Sequence, residues 1–331
     1  KEALRIKPDC AEAHGNLAIA LHDQHCSDEA IGHCREALRI RPDYAEAHNT
    51  LGAIHSYQER LEEALASYRE AIRLKPDYAE AWTHMGAVLF HQGKAEEGVG
   101  ACRRAIELDP TSADAHQVLA SVLMKAGDTE AAIAGYHEAL RHNPEHRDSH
   151  FSLACHQLLH GQFKDAWRHY RYRGGSARGP HAPLPTNLRG ARILLIRNQG
   201  FGDELFFLRF AVQLKARGAW LAYLPGSKMG VLMARLSCLD RIVRKDETLE
   251  NIAWRLSVGD LPLALGMDDA SGIPPPLPLP ALAEHIAPMR ARLAALGPPP
   301  YVGVTWRAGS KDNKELLFKE CPLSEIAATL K

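Results

Sequence analysis

Along residues 1–173 the apolar positions recur with a helical period, and the helices they predict recur with a longer one. Proline stands at 8, 42, 76, 110 and 144, so the pattern repeats every 34 residues. Before each proline runs an amphipathic stretch, ending in Ala37-Leu38, Ala71-Ile72, Ala105-Ile106 and Ala139-Leu140 in four of the copies. After each proline another helix begins, because proline ends one helix and resets the chain. With proline set at position 32, position 8 reads Ala18, Gly52, Gly86, Ala120 and Ala154. Position 20 reads Ala30, Ala64, Gly98, Ala132 and Ala166, and position 27 reads Ala3, Ala37, Ala71, Ala105 and Ala139. Small side chains at fixed places let two antiparallel helices approach closely, and Leu17, Leu51, Met85, Leu119 and Leu153 at position 7 fill the seam. The chain opens inside a second helix (Lys1–Lys7) and holds four full repeats, 11–44, 45–78, 79–112 and 113–146. A modified fifth pair follows. There Gly161 to Trp167 reads as a turn and capping helix, and Arg173 takes position 27.

This period and its small, large and proline signature resemble the tetratricopeptide repeat over residues 1–173. The resemblance implies a right-handed superhelix whose inner face presents positions 2, 5, 6, 9 and 12 of each first helix and receives a protein or peptide. Position 2 is an acidic row: Glu12, Glu46, Glu80, Asp114 and Asp148. Two readings stand, a groove for a basic peptide and first-turn acids that favour the helix dipole. Histidines His14, His48, His116 and His150 hold position 4, where the third repeat has Trp82. Neighbouring repeats are about 8–10 Å apart, too far for these rings to share an ion, so they read as packing residues. His22, His25, Cys26, His33 and Cys34 cluster near one turn and read as a solvated turn, with zinc as the alternative.

After residue 173 the helical period stops. Residues 174–190 are rich in glycine and proline and read as a linker. Short apolar strands then alternate with helices. Strands are expected at 192–197, 220–224, 241–244 and 254–258, with one long helix running to Arg217-Gly218 and another at 229–236. That alternation predicts a parallel, doubly wound sheet. Nine prolines between 274 and 300 surround a helix at 281–296, and 301–306 reads as a further buried strand. Ligands of such sheets sit at the carboxyl ends of the strands. One loop there is Gly200-Phe201-Gly202-Asp203, whose glycines permit positive φ and whose amides open a helix N-terminus. Leu205 occupies the third glycine place of a dinucleotide fingerprint, which speaks against a nicotinamide dehydrogenase. The second loop runs from Trp306 and Arg307 through Gly309 to Lys319, and its cations suit a phosphate. Asp312, Glu315 and Glu320 favour a solvated charged loop instead.

Charge sharpens this division. The chain has 40 basic and 40 acidic residues. Residues 1–173 carry 20 basic and 26 acidic residues, leaving 20 and 14 beyond. The basic second half suits a small anionic ligand and is too weakly charged for a nucleic acid polymer. No run of about 18 apolar residues predicts a membrane span. Seven cysteines without a C-x-x-C pair read as reduced thiols of a cytoplasmic protein.

Phe163–Arg173, Gln199–Phe210, Gly259-Asp260-Leu261-Pro262 and Val302–Gly309 together resemble bacterial proteins in which tetratricopeptide repeats are fused to a heptosyltransferase-like glycosyltransferase. The resemblance implies an all-α solenoid (1–173), a linker (174–190), an α/β Rossmann-like domain forming the N-terminal half of a GT-B fold (191–300), and the start of a second such domain (301–331). It makes Asp203 the general base for an acceptor hydroxyl, and Gly200, Gly202, Arg307, Gly309 and Lys319 candidates for the phosphates of a nucleotide-sugar donor. Inverting transfer needs a carboxylate at the attacking hydroxyl and positive charge at the departing diphosphate. No metal or cofactor is implied. Because the second domain has one strand, a loop and the start of a helix, the expectation is a fragment of a longer product with little turnover. Two alternatives stand: a non-catalytic interaction scaffold, and a protein O-linked N-acetylglucosaminyltransferase. The latter carries an asparagine ladder at position 6, where this chain has Asn16, Thr50, His84, Val118 and Ser152.

Overall fold

The computed structural model describes residues 2–173, 182–197, 200–226, 230–278, 283–295, 307–308 and 319–320. Packing divides the chain into Lys1–Leu277 and Pro278–Lys331. The first unit begins with α1 (Glu2–Ile6), followed by five helix pairs. These are α2 (Ala11–Asp23) with α3 (Ser27–Ile40), α4 (Ala45–Tyr57) with α5 (Leu61–Leu74), and α6 (Ala79–His91) with α7 (Ala95–Leu108). Next come α8 (Ala113–Ala126) with α9 (Thr129–His142), then α10 (Arg147–Leu159) with α11 (Phe163–Tyr170).

The small residues do what their spacing predicts. Ala18, Ala30, Ala37, Ala64, Ala71, Ala105, Ala120, Ala132 and Ala139 are fully buried. A β-carbon at Gly52 would stand 2.6 Å from the Tyr68 ring, and one at Gly86 would collide with Cys102 Sγ. Position 8 is therefore held small by a larger side chain on the partner helix. Each pair turns through a left-handed residue at position 15: His25, Glu59, Gly93, Gly127 and Gly161, with φ of 61, 61, 79, 91 and 72°. In the first two repeats a side chain bears the steric cost that glycine avoids. Successive first helices touch one another along one side of the stack, α2 to α4, α4 to α6, α6 to α8 and α8 to α10.

The later part of this unit holds β1 (Arg192–Ile196), α12 (Phe201–Leu208), α13 (Ala211–Ala216), β2 (Trp220–Leu224), α14 (Gly230–Met233), β3 (Arg241–Ile242), β4 (Trp254–Ser257) and α15 (Leu261–Leu265). The four strands form a parallel sheet in the order β3-β2-β1-β4, with Ile193 opposite Leu221 on one side and Trp254 on the other. Ile193, Leu195, Leu221 and Tyr223 on one face and Leu194 and Ala222 on the other are buried, as strands covered on both faces require. Several expectations change, among them the helix expected at 229–236, which spans Gly230–Met233. The long helix breaks at Arg209-Phe210 into α12 and α13, and the third strand shortens to two residues. The stretch 182–190, expected as linker, packs down: Leu184 and Leu188 are buried, and their amides donate to the Ala264 and Arg217 carbonyls.

In the second unit, α16 (Ala283–Ala294) contains Pro288, and β5 (Arg307–Ala308) pairs antiparallel with β6 (Lys319–Glu320). The expected strand 301–306 lies outside the described residues. Among the described residues no helix is long and apolar enough to cross a membrane.

Candidate functional site

On the face built by the first helices, four of the five acids already have partners within the stack. Glu12 accepts from Arg41 at 2.8 Å, Glu46 from Lys75 at 3.4 Å, and Asp114 meets His146 Nε2 at 2.9 Å. Glu80 accepts from Asn49 Nδ2 at 3.2 Å. Asp148 is exposed. The Glu12 carboxyl is held below the usual range by backbone and Cys10 hydrogen bonds, with Arg41 adding to them. Three of these pairs tie the start of a first helix to the end of its own repeat, and the Glu80–Asn49 bond joins two repeats. Beside it, His84 Nδ1 meets Asn49 Oδ1 at 3.1 Å, and Gln117 donates to Ser121 Oγ at 3.0 Å. Ile19 and Phe151, at positions 9 and 5, are exposed apolar residues on the same helices.

The position-4 residues have a polar task beyond packing. Nε2 of His14, His48, His116 and His150 lies 3.0, 3.3, 3.1 and 3.0 Å from the carbonyls of Pro8, Pro42, Pro110 and Pro144. Trp82 Nε1 donates to the Pro76 carbonyl at 3.1 Å in the same way. A carbonyl only accepts, so each Nε2 carries the proton and the neutral ring offers a lone pair at Nδ1. That Nδ1 meets His33 Nδ1 at 2.9 Å in the first repeat and His169 Nδ1 at 2.6 Å in the fifth. A ring N–H donor at position 4, six residues after each proline, is the signal for this bond in the sequence. The cysteine–histidine group of the first turn disperses: His25 bonds Tyr57 at 3.1 Å, Cys26 faces the Gln24 carbonyl, and His33 faces His14. Cys34 is fully buried, which pushes its thiol up to about 12.

Two sequence stretches far apart meet at the end of the stack. Position 27 of the fifth repeat carries Arg173, whose side chain is 3% exposed and bonds Asp260 Oδ1 at 2.9 Å. The guanidinium also donates to the Tyr170 carbonyl at 3.0 Å and Ser257 Oγ at 3.1 Å, and lies over the Tyr170 ring. A β-carbon at residue 259 would collide with Arg173 Nη2, so glycine is the residue that fits. Phe207 of α12 packs on Trp167 and Tyr170 of α11. Burial raises the Asp260 carboxyl, against the lowering pull of Arg173.

At the carboxyl ends of the strands, Gly200 caps α12 with φ −65°, so the positive φ that glycine permits is not used there. Among the described residues, a β-carbon at Gly200 would meet only Asp203 Oδ2 within 4 Å, and one at Gly202 would meet none. Asp203 is exposed in the first turn of α12. Its neighbour Glu204 is buried, and its Oε2 has no partner among the described residues. The charge of Glu204 adds to burial in raising the Tyr223 phenol. An acid on the stripe formed with Phe207, Leu208 and Ala211 is the sequence signal for it. Arg197, Arg244 and Lys245 line a cleft of about 780 Å³ beside Leu224, Pro225 and Ile242. Of the second-loop candidates, Arg307 stands opposite Glu320 and Lys319 opposite Ala308 in the β5–β6 ladder, not in a loop. Gly309 lies outside the described residues.

Residues 1–45, 54–93 and 89–150 match family models described as TPR repeat or tetratricopeptide repeat. The first half of the chain is therefore built of tetratricopeptide repeats. Solved structures with similarity to it include one from work titled as the functional characterisation of Pseudomonas aeruginosa pilF, 21% identical, covering 50% of this chain and 78% of its own, with TM-score 0.45. TTC0263, a TPR protein of Thermus thermophilus, is 20% identical over 49% of this chain and 88% of its own, with TM-score 0.45. YrrB, titled a TPR protein with an unusual peptide-binding site, is 18% identical over 52% and 88%, with TM-score 0.38. No curated protein matches the chain.

Proposed function

We propose that the chain is an interaction scaffold whose first-helix face holds an extended segment of a protein partner. One observation carries this reading. Successive first helices touch, and their common face carries polar side chains in the third and fourth repeats (His84, Gln117, Ser121) with exposed Ile19 and Phe151 in the first and fifth. A peptide laid there satisfies the former and covers the latter. Peptides selected from a random display library against the full chain should lose about tenfold or more in affinity for a Gln117→Ala/Phe151→Ala variant, the truncation loss expected of anchor contacts. Unchanged binding to that variant sinks the reading. The free cysteines among the described residues support a reducing, cytoplasmic setting.

A second reading concerns the sheet: a sugar-transferase-like unit in which Asp203 takes the proton of an acceptor hydroxyl and a nucleotide sugar is the donor. What favours it is Asp203, exposed and carried by a glycine loop after β1 of a parallel sheet. Gly200 and Gly202 of that loop are its donor-phosphate candidates. In the whole gene product, Asp203→Asn should abolish sugar transfer and donor hydrolysis. Undiminished turnover would remove Asp203 from the chemistry.

A further inference from the structure

The fourth repeat holds a cluster that neither reading above uses. His116 of α8, with Glu138 and His142 of α9, brings one ligand atom each to within 4.8 Å of the others. The sequence explains the convergence. Glu138 and His142 are four residues apart and share one helix face. His116 is the position-4 ring, held by its Nε2 bond to the Pro110 carbonyl at 3.1 Å. That bond fixes the tautomer and leaves the Nδ1 lone pair for another partner. Metal-bound histidines are oriented in the same manner, with the second ring N–H donated to a carbonyl. Nε2 of His142 accepts from Arg141 Nη2 at 3.0 Å, because a guanidinium only donates, and it lies 3.4 Å from Glu138 Oε1. Glu138 takes both Nε and Nη2 of Arg141. The Glu138 carboxylate and His142 Nε2 thus gather at the guanidinium of Arg141, whose side chain is 65% exposed, and the His116 ring stacks on that of His142 with centroids 5.5 Å apart.

Comparison among the repeats isolates what is special here. Position 4 histidine accompanies glutamate at position 26 and arginine at position 29 in three repeats: His14/Glu36/Arg39, His48/Glu70/Arg73 and His116/Glu138/Arg141. The third repeat has Trp82 and reverses the pair to Arg104/Glu107. At position 30 the first three repeats carry Ile40, Leu74 and Leu108, and the fourth carries His142. The third ligand is therefore added to a framework that is already present elsewhere.

We propose that His116, Glu138 and His142 bind a divalent late first-row transition-metal ion, which takes the place of the Arg141 guanidinium. Imidazole with one carboxylate suits nickel, copper or zinc, and the ligand atoms need close only to the spacing set by metal–nitrogen bonds of about 2.0–2.1 Å. Such an ion ties α8 to α9 beneath the face that carries Gln117 and Ser121.

The test is titration of the full chain with nickel(II) alone by calorimetry, alongside thermal unfolding with and without the ion. One site per chain is expected, and nickel should raise the unfolding midpoint, since a ligand of the folded state stabilises it. His142→Gln and His116→Gln should each weaken that site by about tenfold or more, as loss of one of three ligands requires. Arg141→Ala should tighten it by removing the competing cation. Metal-free unfolding midpoints of the glutamine variants close to that of the parent chain show that the fold is kept. The proposal is overturned if the parent chain takes up no nickel, if both glutamine variants titrate like the parent, or if Arg141→Ala weakens binding.

Discussion

At position 27 the solenoid buries Ala37, Ala71, Ala105 and Ala139, whereas the last repeat buries Arg173 against Asp260 of the sheet region. The same place in the same motif is filled by shape in one region and by charge in the other. Alanine lets the next repeat close in, and the stack continues. Arginine ends the stack and reaches an unlike partner. A repeat interface is interchangeable along the solenoid; the interface made by Arg173 fits one neighbour only.

The comparison can be broken by substitution. Arg173→Ala leaves Asp260 buried without its cation and should cost about 3–5 kcal/mol in urea unfolding, while Arg173→Met with Asp260→Leu should recover most of that. A loss under about 1 kcal/mol for the single variant would mean that charge does not hold the junction. Gly86→Ala tests the opposite principle, since its β-carbon would press into Cys102 Sγ. Overpacking of this kind costs about 1–3 kcal/mol, and Cys102→Ala should relieve it.

Acid should act on the repeats first. Burial and then the charge of His150 hold His169 down to about 4, and burial also lowers His55, His84 and His150. An imidazole that ionises less readily when folded binds more protons when unfolded. Its contribution to stability is complete above the unfolded value near 6.5 and is lost as pH falls toward 4. Unfolding midpoints measured between about pH 7 and pH 4 should fall, less steeply for His169→Gln. The smallest effect is a gain. Glu59→Gly at the left-handed turn residue should stabilise by about 0.5–1 kcal/mol, matching Gly93 and Gly127 of later repeats.

Legibility follows the same division. Ala37 and its equivalents can be read because five copies agree, and any misreading in one repeat conflicts with the others. For the position-4 residues, a ring N–H six residues after each proline is a legible signal, but periodicity reports which face a ring occupies and not which nitrogen it turns to the carbonyl. In the sheet region each role occurs once. Trp220–Leu224 is legible as an apolar run, but the break at Arg209-Phe210 leaves the apolar spacing intact and is set by tertiary packing. Glu204 escapes a motif-based reading because Asp203, the motif residue beside it, draws the chemical argument. Arg173 and Asp260 are 87 residues apart, and no spacing rule joins them.

The central claim is that the face of the first helices is where a partner lies. Hydrogen exchange of the full chain, with and without a selected peptide, tests it most directly. The account predicts slowed exchange concentrated in α6, α8 and α10, with the second helices and β1–β4 unchanged. Protection confined to the second helices or to the loop before α12 would contradict it.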